Sequence, residues 1–401
     1  MRTSIVTQFL KLESASGIIL FVMALAALIL CNSPYADLYQ RLWQITIAIH
    51  INNYSLAEPL LFWVNEGLMT LFFLMVGLEL KREFLEGELA NIKQVILPAI
   101  AAFGGMVVPA LIYCVINYHN AETIVGWAVP VATDIAFALG VLSLFGGRVS
   151  VGLKLFLMAL AIFDDVGAIL IIAFFHTQSL SYLALGVAVA SIILLFLFNK
   201  WGVKRLSLYL LVGFILWLCV LKSGVHATVA GVVLAFVIPL RQPESDALAP
   251  SRRLEHTLHP WVAYFVMPLF AFANAGLSFE GLSIPVIFDQ IALGTIAGLL
   301  LGKQLGVLFF SWLAIRLGWA ELPENTTWLE LYAVAILCGI GFTMSLFLGT
   351  LAFEGSNPIY LVEVRVGVLL GSLLSGVIGA LMLQMALLKK VSRERCSLER
   401  R

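Results

Sequence analysis

Two adjacent carboxylates, Asp164 and Asp165, interrupt an apolar run from Leu155 to Phe175 that carries no other charge. Such a run is long enough to cross the roughly 30 Å hydrocarbon core of a bilayer as one helix. An aspartate at the centre of a spanning helix costs about 2.5–3.5 kcal/mol, while Leu, Ile, Phe or Val each return only about 0.3–0.6 kcal/mol. The apolar residues barely offset the two acids, so the pair must face water or partners inside the protein. Neighbouring helix positions point about 100° apart, so one carboxylate can line a cavity while the other reaches toward a cation. Two ionised carboxylates this close repel each other, and the site they form takes up a proton or a small hard cation such as sodium. Competition between the two for the same oxygens is itself an exchange mechanism, because loading one expels the other.

Lys303 is the sole charge between Asp289 and Arg316, and at that depth it is the one plausible partner for the pair. Two further spans look broken at their midpoints, one at Pro130-Val-Ala-Thr133-Asp134 and one at Cys338-Gly339-Ile-Gly341-Phe-Thr343. Unwound backbone at that depth is tolerated only where it is buried or lines a cavity. If the breaks cross, the N-terminal ends of two half-helices face each other and so do the two C-terminal ends, each meeting concentrating partial charge of one sign. Asp134, with Thr133 as N-cap, would offset the positive meeting, and Lys303 the negative one. The candidate ion and proton site is therefore Asp164, Asp165, Thr133, Asp134 and Lys303. Asp164, Asp165, the Thr133 hydroxyl and freed carbonyls would supply the oxygens for Na+.

The elements that must hold these residues follow from composition. The chain is 61% hydrophobic and 12% charged, with a mean hydropathy of +1.00, which excludes an ordinary soluble domain. Apolar stretches near 12–31, 59–80, 95–117, 121–143, 151–175, 181–199, 206–221, 224–240, 258–277, 290–315, 328–350 and 358–388 predict an all-α polytopic membrane protein of about twelve spans. Spans three to five and ten to twelve would form inverted repeats with the two broken helices crossing. With both termini cytoplasmic, nearly all Lys and Arg lie inside or at inner helix ends, and only Arg41 and Lys222 fall outside, as the positive-inside rule demands.

Residues 1–401 read as a single transporter domain with a cytoplasmic tail at 389–401. The segment 32–58 alternates Ile45, Ile47, Ile49 and Ile51 before a turn at Asn52-Asn53, which predicts a short external β-hairpin whose edge could pair with a second protomer. Gly294, Gly298, Gly302 and Gly306, and Gly367, Gly371, Ser375 and Gly379, recur every four residues and mark tightly packed helix faces. The net charge of zero argues against a nucleic-acid partner. Cys31, Cys114, Cys219, Cys338 and Cys396 have no ligand spacing and read as packing residues.

A second charged cluster combines Glu79, Arg82 and Glu83, which share a helix face, with Arg252, Glu255, His256 and His259 before span nine and His226 at the start of span eight. Histidines among acids near neutral pH suit a pH sensor, and a solvated network of helix-end ion pairs is the competing reading. His50, His119 and His176 fall in external connections and receive no role.

With these residues assembled, the chain resembles the NhaA-type bacterial sodium/proton antiporters. The resemblance rests on Phe72-Phe-Leu-Met-Val-Gly-Leu-Glu79-Leu-Lys-Arg-Glu83, Ala132-Thr-Asp134-Ile-Ala-Phe-Ala-Leu-Gly140, Ile162-Phe-Asp164-Asp165, Ser223-Gly-Val-His226-Ala-Thr and Leu254-Glu-His-Thr-Leu-His-Pro-Trp261 through Gly276. That family is itself a standard instance of paired broken helices in inverted repeats, so the repeat assignment is not independent of it. The resemblance implies Na+ (and Li+) for H+ exchange across a bacterial inner membrane, activated at alkaline pH, with Asp164 and Asp165 as the site and Asp134 and Lys303 at the crossing. Two titratable carboxylates serving one monovalent cation would make that exchange electrogenic. It implies no bound cofactor, a homodimer joined through residues 43–55, and pH control by Glu79, Arg82, Glu83, His226, Glu255 and His256. Glu66 stands where a shorter aspartate is expected, which leaves its role open. Two other classes compete. An intramembrane aspartyl protease would need Gly-x-Gly-Asp, and Phe342 follows Gly341. A proton-coupled organic-acid carrier would need half-helix N-termini free of Asp134.

Overall fold

The computed structural model describes residues 5–51, 54–87, 92–175, 181–240, 249–280 and 284–398. These residues are overwhelmingly helical, with one two-stranded antiparallel sheet. Among them, eight helices are long and apolar enough to cross a membrane: Leu60–Glu86, Val95–Asn117, Ile124–Ser143, Val151–Ala173, Tyr182–Lys200, Leu206–Ser223, Gln290–Arg316 and Pro358–Lys390. Two bent pairs raise this to ten, Ala15–Cys31 with Ala36–Gln44 and Trp328–Leu337 with Phe342–Ala352. These ten are the expected spans one to seven and ten to twelve. Expected span eight is a helix of only 10 residues, Thr228–Val237, entered through Gly224 at φ +86° and ended before Pro239. Expected span nine is helical from Pro250 to Asn274, but its first part, Pro250–Trp261, carries Arg252, Arg253 and Glu255.

Strands Thr46–Ile51 and Tyr54–Pro59 pair in register, with Ile47 opposite Glu58 and Ile49 opposite Leu56. The alternation of the isoleucines thus forms the expected hairpin, and Ile45 and Ile47 stand exposed. Asn52-Asn53, His176 and residues 241–248 lie outside the described residues. The last helix runs on from Pro358 to Leu398, so the stretch read as a tail begins as helix.

The chain forms two compact units. One gathers residues 1–22, 91–168 and 279–401, which contain spans three, four and ten to twelve and span five as far as Ala168, the bulk of the two expected repeats. Within it the glycine ridge of span ten meets span three: a methyl group at Gly302 would stand 2.6 Å from Pro109 Cα, and Gly306 faces the Gly104 carbonyl. Span twelve closes on span ten in the same way, with a Cβ at Gly367 falling 2.8 Å from Thr295 Cβ. A π-helical turn at Gly298–Gly302 ends directly at Lys303. Span ten is held on both sides where it carries its lysine, as the small-residue spacing predicts.

The other unit comprises residues 23–90 and 169–278. Its core includes Leu74, Leu78, Leu195, Tyr209, Leu216 and Leu234. Here spans two and eight run in parallel, because Gly231 packs on Thr70 backbone and Gly77 on Ala235.

Candidate ion-binding site

Both expected breaks are present. Span four is a 3-10 helix, Ile124–Val131, that contains Pro130 and opens into extended residues before the helix Ile135–Ser143. Span eleven stops at Leu337 and restarts at Phe342, its gap occupied by Cys338, Gly339, Ile340 and Gly341. Gly339 lies against the Leu299 carbonyl and the Ser375 side chain, an approach that leaves no room for a Cβ. The two gaps meet, the Asp134 N–H donating to the Ile340 carbonyl at 2.7 Å.

The charge logic of the crossing is then visible atom by atom. Asp134 Oδ1 accepts from the Phe137 N–H at 3.0 Å, at the N-terminus of Ile135–Ser143. Its Oδ2 accepts from the Thr343 N–H at 3.1 Å and from the Thr343 hydroxyl at 2.5 Å, at the N-terminus of Phe342–Ala352. One buried carboxylate therefore caps both half-helices and sits between their positive ends. The expectation that Thr133 is the N-cap is corrected, because the extended backbone at Asp134 makes that residue the cap. The Thr133 hydroxyl is turned to the other side of the crossing, 2.8 Å from the Cys338 carbonyl and 2.7 Å from Asp164 Oδ2, and its single hydrogen serves one of them at a time.

Lys303 Nζ lies 2.5 Å from the same Asp164 Oδ2, with both side chains 0% exposed. A line of polar atoms thus runs from Cys338, the C-terminal end of the first half of span eleven, through Thr133 and Asp164 to Lys303. The cation is placed toward the negative helix end, as dipole complementarity requires. Asp164 Oδ1 is buried and accepts no hydrogen bond, leaving one lone-pair-bearing oxygen beside the ion pair. Asp165, 3% exposed, follows on the same helix. Carboxylate, hydroxyl and carbonyl oxygens so gathered are the donor set a hard cation takes.

The expected pH cluster divides in two. Arg82 Nε donates to Glu255 Oε1 at 2.8 Å, and Arg82 Nη1 lies 2.8 Å from Glu83 Oε1. Arg252 pairs with Glu86, and Lys81 caps the end of Thr228–Val237 by donating to the Phe236 and Ile238 carbonyls at 2.6 Å. Glu79, buried, precedes this group on the same helix, and His256 is exposed beside Glu255. His226 does not join them. Because spans two and eight run in parallel, His226 at the start of one meets Glu66 near the start of the other, about 18 Å of helix from Ile238. Its Nδ1 is 3.6 Å from Glu66 Oε1, and the Ala227 N–H donates to Glu66 Oε2 at 3.3 Å. Glu66 stands in a π-helical turn, Trp63–Leu68, and its carbonyl accepts from Thr70, whose oxygen in turn accepts from Trp217 Nε1. Two partners thus escape a reading of the sequence, Glu66 for His226 and Thr343 for Asp134. Thr343 had a signal, two positions past Gly341 in the break itself.

A sequence model of the family described as "Na+/H+ antiporter 1" matches residues 7–383. The chain belongs to that family. Among curated proteins, it is 56% identical over 387 residues to "Na(+)/H(+) antiporter NhaA" of Rhodospirillum rubrum, covering 95% of this chain and 97% of that protein. It is 53% identical over 393 residues to "Na(+)/H(+) antiporter NhaA 1" of Syntrophotalea carbinolica, covering 98% and 99%. A third relative, "Na(+)/H(+) antiporter NhaA" of Yersinia pseudotuberculosis, is 51% identical across 96% of this chain and 97% of its own length. Paired interrupted spans are a recurring device of secondary transporters, and the breaks that meet at Asp134 are such a pair.

Proposed function

We propose that this chain is a secondary antiporter that exchanges Na+ for H+ across a bacterial inner membrane, working as one domain of residues 1–401 with both termini cytoplasmic. The observation that carries the reading is the buried Lys303–Asp164 pair bridged by Thr133 to the crossing of two broken helices, in a chain whose relatives are named Na+/H+ antiporters. Asp164 and Asp165, with the Thr133 hydroxyl, take the sodium ion. Protons reach the same carboxylates from the opposite side, and occupancy by one excludes the other. Asp134 neutralises the crossing so that it tolerates an incoming cation. The same neutralisation leaves an organic acid without its anion site, and none of the relatives named above is called a carrier of that kind. Na+ and H+ are the cargo, and no bound cofactor enters the scheme.

Two titratable carboxylates serving one monovalent cation make the exchange electrogenic, more protons entering than sodium or lithium ions leave. The Arg82–Glu255 network with Glu79, Glu83 and His256 sets its activation at alkaline pH. Homodimers join through residues 43–55, where the exposed Ile45 and Ile47 of the hairpin support such a contact.

The test is sodium-driven proton movement in everted membrane vesicles, native chain against Asp165→Asn. Exchange that rises at alkaline pH and vanishes in the variant supports the scheme. Exchange surviving the substitution moves the ion site elsewhere, and native protein without a sodium response removes the antiporter reading.

A further inference from the structure

On the outer face of spans ten and eleven, within the first unit, lies an apolar groove of about 540 Å³. Span ten supplies Leu305, Leu308, Phe309 and Trp312, and the helix Trp328–Leu337 supplies Trp328 and Tyr332. Its depth can be read from the chain. Gln290–Arg316 is one span with Lys303 at its middle, and Arg316 lies thirteen residues on, about 20 Å along the axis. Half of a hydrocarbon core is about 15 Å, so Arg316 stands at the level of the phosphates while the groove lies beneath it in the acyl region. Trp328 opens the next helix directly after the 317–327 connection, so both walls end at the same face of the membrane.

The mouth of the groove is charged and oriented. The Arg316 guanidinium lies over the Trp312 ring, 5.3 Å from its centroid, which fixes a cation beside the wall that Trp312 contributes. Below, the Tyr332 hydroxyl donates to Gln304 Oε1 at 2.8 Å, so its hydrogen is spent within the protein. A ligand that fits has a long apolar chain and a phosphate at its end.

We propose that this groove holds one acyl chain of an anionic phospholipid whose phosphate is bound by Arg316. A guanidinium matches a phosphodiester in shape and charge. A zwitterionic headgroup brings its own ammonium toward the same guanidinium and is the poorer ligand. In the topology proposed above the lipid belongs to the cytoplasmic leaflet. It seals the seam between the span that carries Lys303 and the span whose break contacts Asp134.

The experiment is native mass spectrometry of the full chain in mild detergent with phosphatidylglycerol or phosphatidylcholine added. The native chain is expected to retain one phosphatidylglycerol in preference to phosphatidylcholine. Arg316→Gln should lower that retention about fivefold, the value of one interfacial basic residue. Leu308→Trp, which fills the groove and leaves Arg316 in place, should lower it as well, and Arg148→Gln, an exposed arginine at another helix end, should not. Equal retention of both lipids, unchanged retention in Arg316→Gln and Leu308→Trp, or equal loss in Arg148→Gln would overturn the site. The readout is bound lipid, so it stands or falls apart from the exchange activity.

Discussion

The two polar regions of this molecule use the same residue types in opposite settings. At the crossing, Asp134, Asp164 and Lys303 are at most 1% exposed and lie against unwound backbone. In the other unit, Arg82 and Glu255 are 30% and 14% exposed in their side chains and sit on helix ends. The first region keeps its charges by pairing Asp164 with Lys303 and by holding Asp134 between two helix N-termini, while the second retains access to solvent that can replace a lost partner. On the function proposed above, the contrast separates what must be fixed at the ion site from what can be tuned around it.

The sharpest way to break this comparison is to remove one member of the buried pair. Lys303→Ala strands the Asp164 carboxylate, and a variant of this kind should lose about 3–5 kcal/mol of stability. Thermal unfolding of the purified protein in detergent measures it. Asp164→Asn combined with Lys303→Met should recover most of that loss while exchange stays absent. A double variant as unstable as the single one would mean the lysine acts through packing and not through charge.

Asp134→Ala comes next. It removes the acceptor for the Phe137 and Thr343 N–H groups and for the Thr343 hydroxyl, and should lower stability by about 2–4 kcal/mol by leaving buried donors unpaired. Asp134→Asn removes the charge and keeps one acceptor oxygen, enough to cap one of the two half-helices. If capping alone matters, Asn should recover part of the stability and part of the exchange together; if the charge itself offsets the two helix ends, the same part of the stability should return and sodium exchange should not. Arg82→Gln, in the more open region, should cost about 1 kcal/mol or less. Its readout is the pH profile of exchange in vesicles, expected to shift while the maximal rate stays near native. A maximal rate lost as completely as in Asp165→Asn would erase the distinction between the two regions.

The same contrast explains how much of the fold and of the site is legible in the amino-acid sequence. Pro130, Gly339 and Gly341 announce the breaks because they cannot continue a helix or leave it weak, and helix polarity alone then assigns Asp134 to the N-terminal meeting. Lys303 finds its partner by elimination, since the apolar spans offer so few charges. The hairpin is legible from period-two isoleucines. Thr133 is misassigned because a cap one residue away is decided by backbone angles that sequence does not report. His226 groups with Glu79 in sequence because polar residues near helix ends look alike there. Their separation is already implied by the twelve-span topology, in which spans two and eight both run inward and His226 lies near external Lys222. What the sequence does not report is that the two spans pack side by side through Gly77 and Gly231, which sets Glu66 against His226. The π-helical turns before Lys303 and around Glu66 carry no sequence signature that helix-period reading can use.

Glu66 provides the finest division of the comparison, because it is a buried acid in the more open unit. Its carboxylate reaches both the Ala227 N–H, at 3.3 Å, and His226 Nδ1, at 3.6 Å, across to the start of a helix whose first turn has donors to satisfy. Glu66→Asp shortens the side chain by one methylene. The already long bond to Ala227 should be lost, and the loss should be about 0.5–1.5 kcal/mol, the net value of one such bond. If the pair is a structural clasp, that small destabilisation is all that thermal unfolding and exchange assays will show, and Glu66→Gln, which keeps the reach, will be nearly silent. A pH profile displaced in Glu66→Gln but not in Glu66→Asp would instead make the charge opposite His226 the relevant quantity. The second unit would then contain two separate pH-responsive groups, about 18 Å of helix apart, and not one.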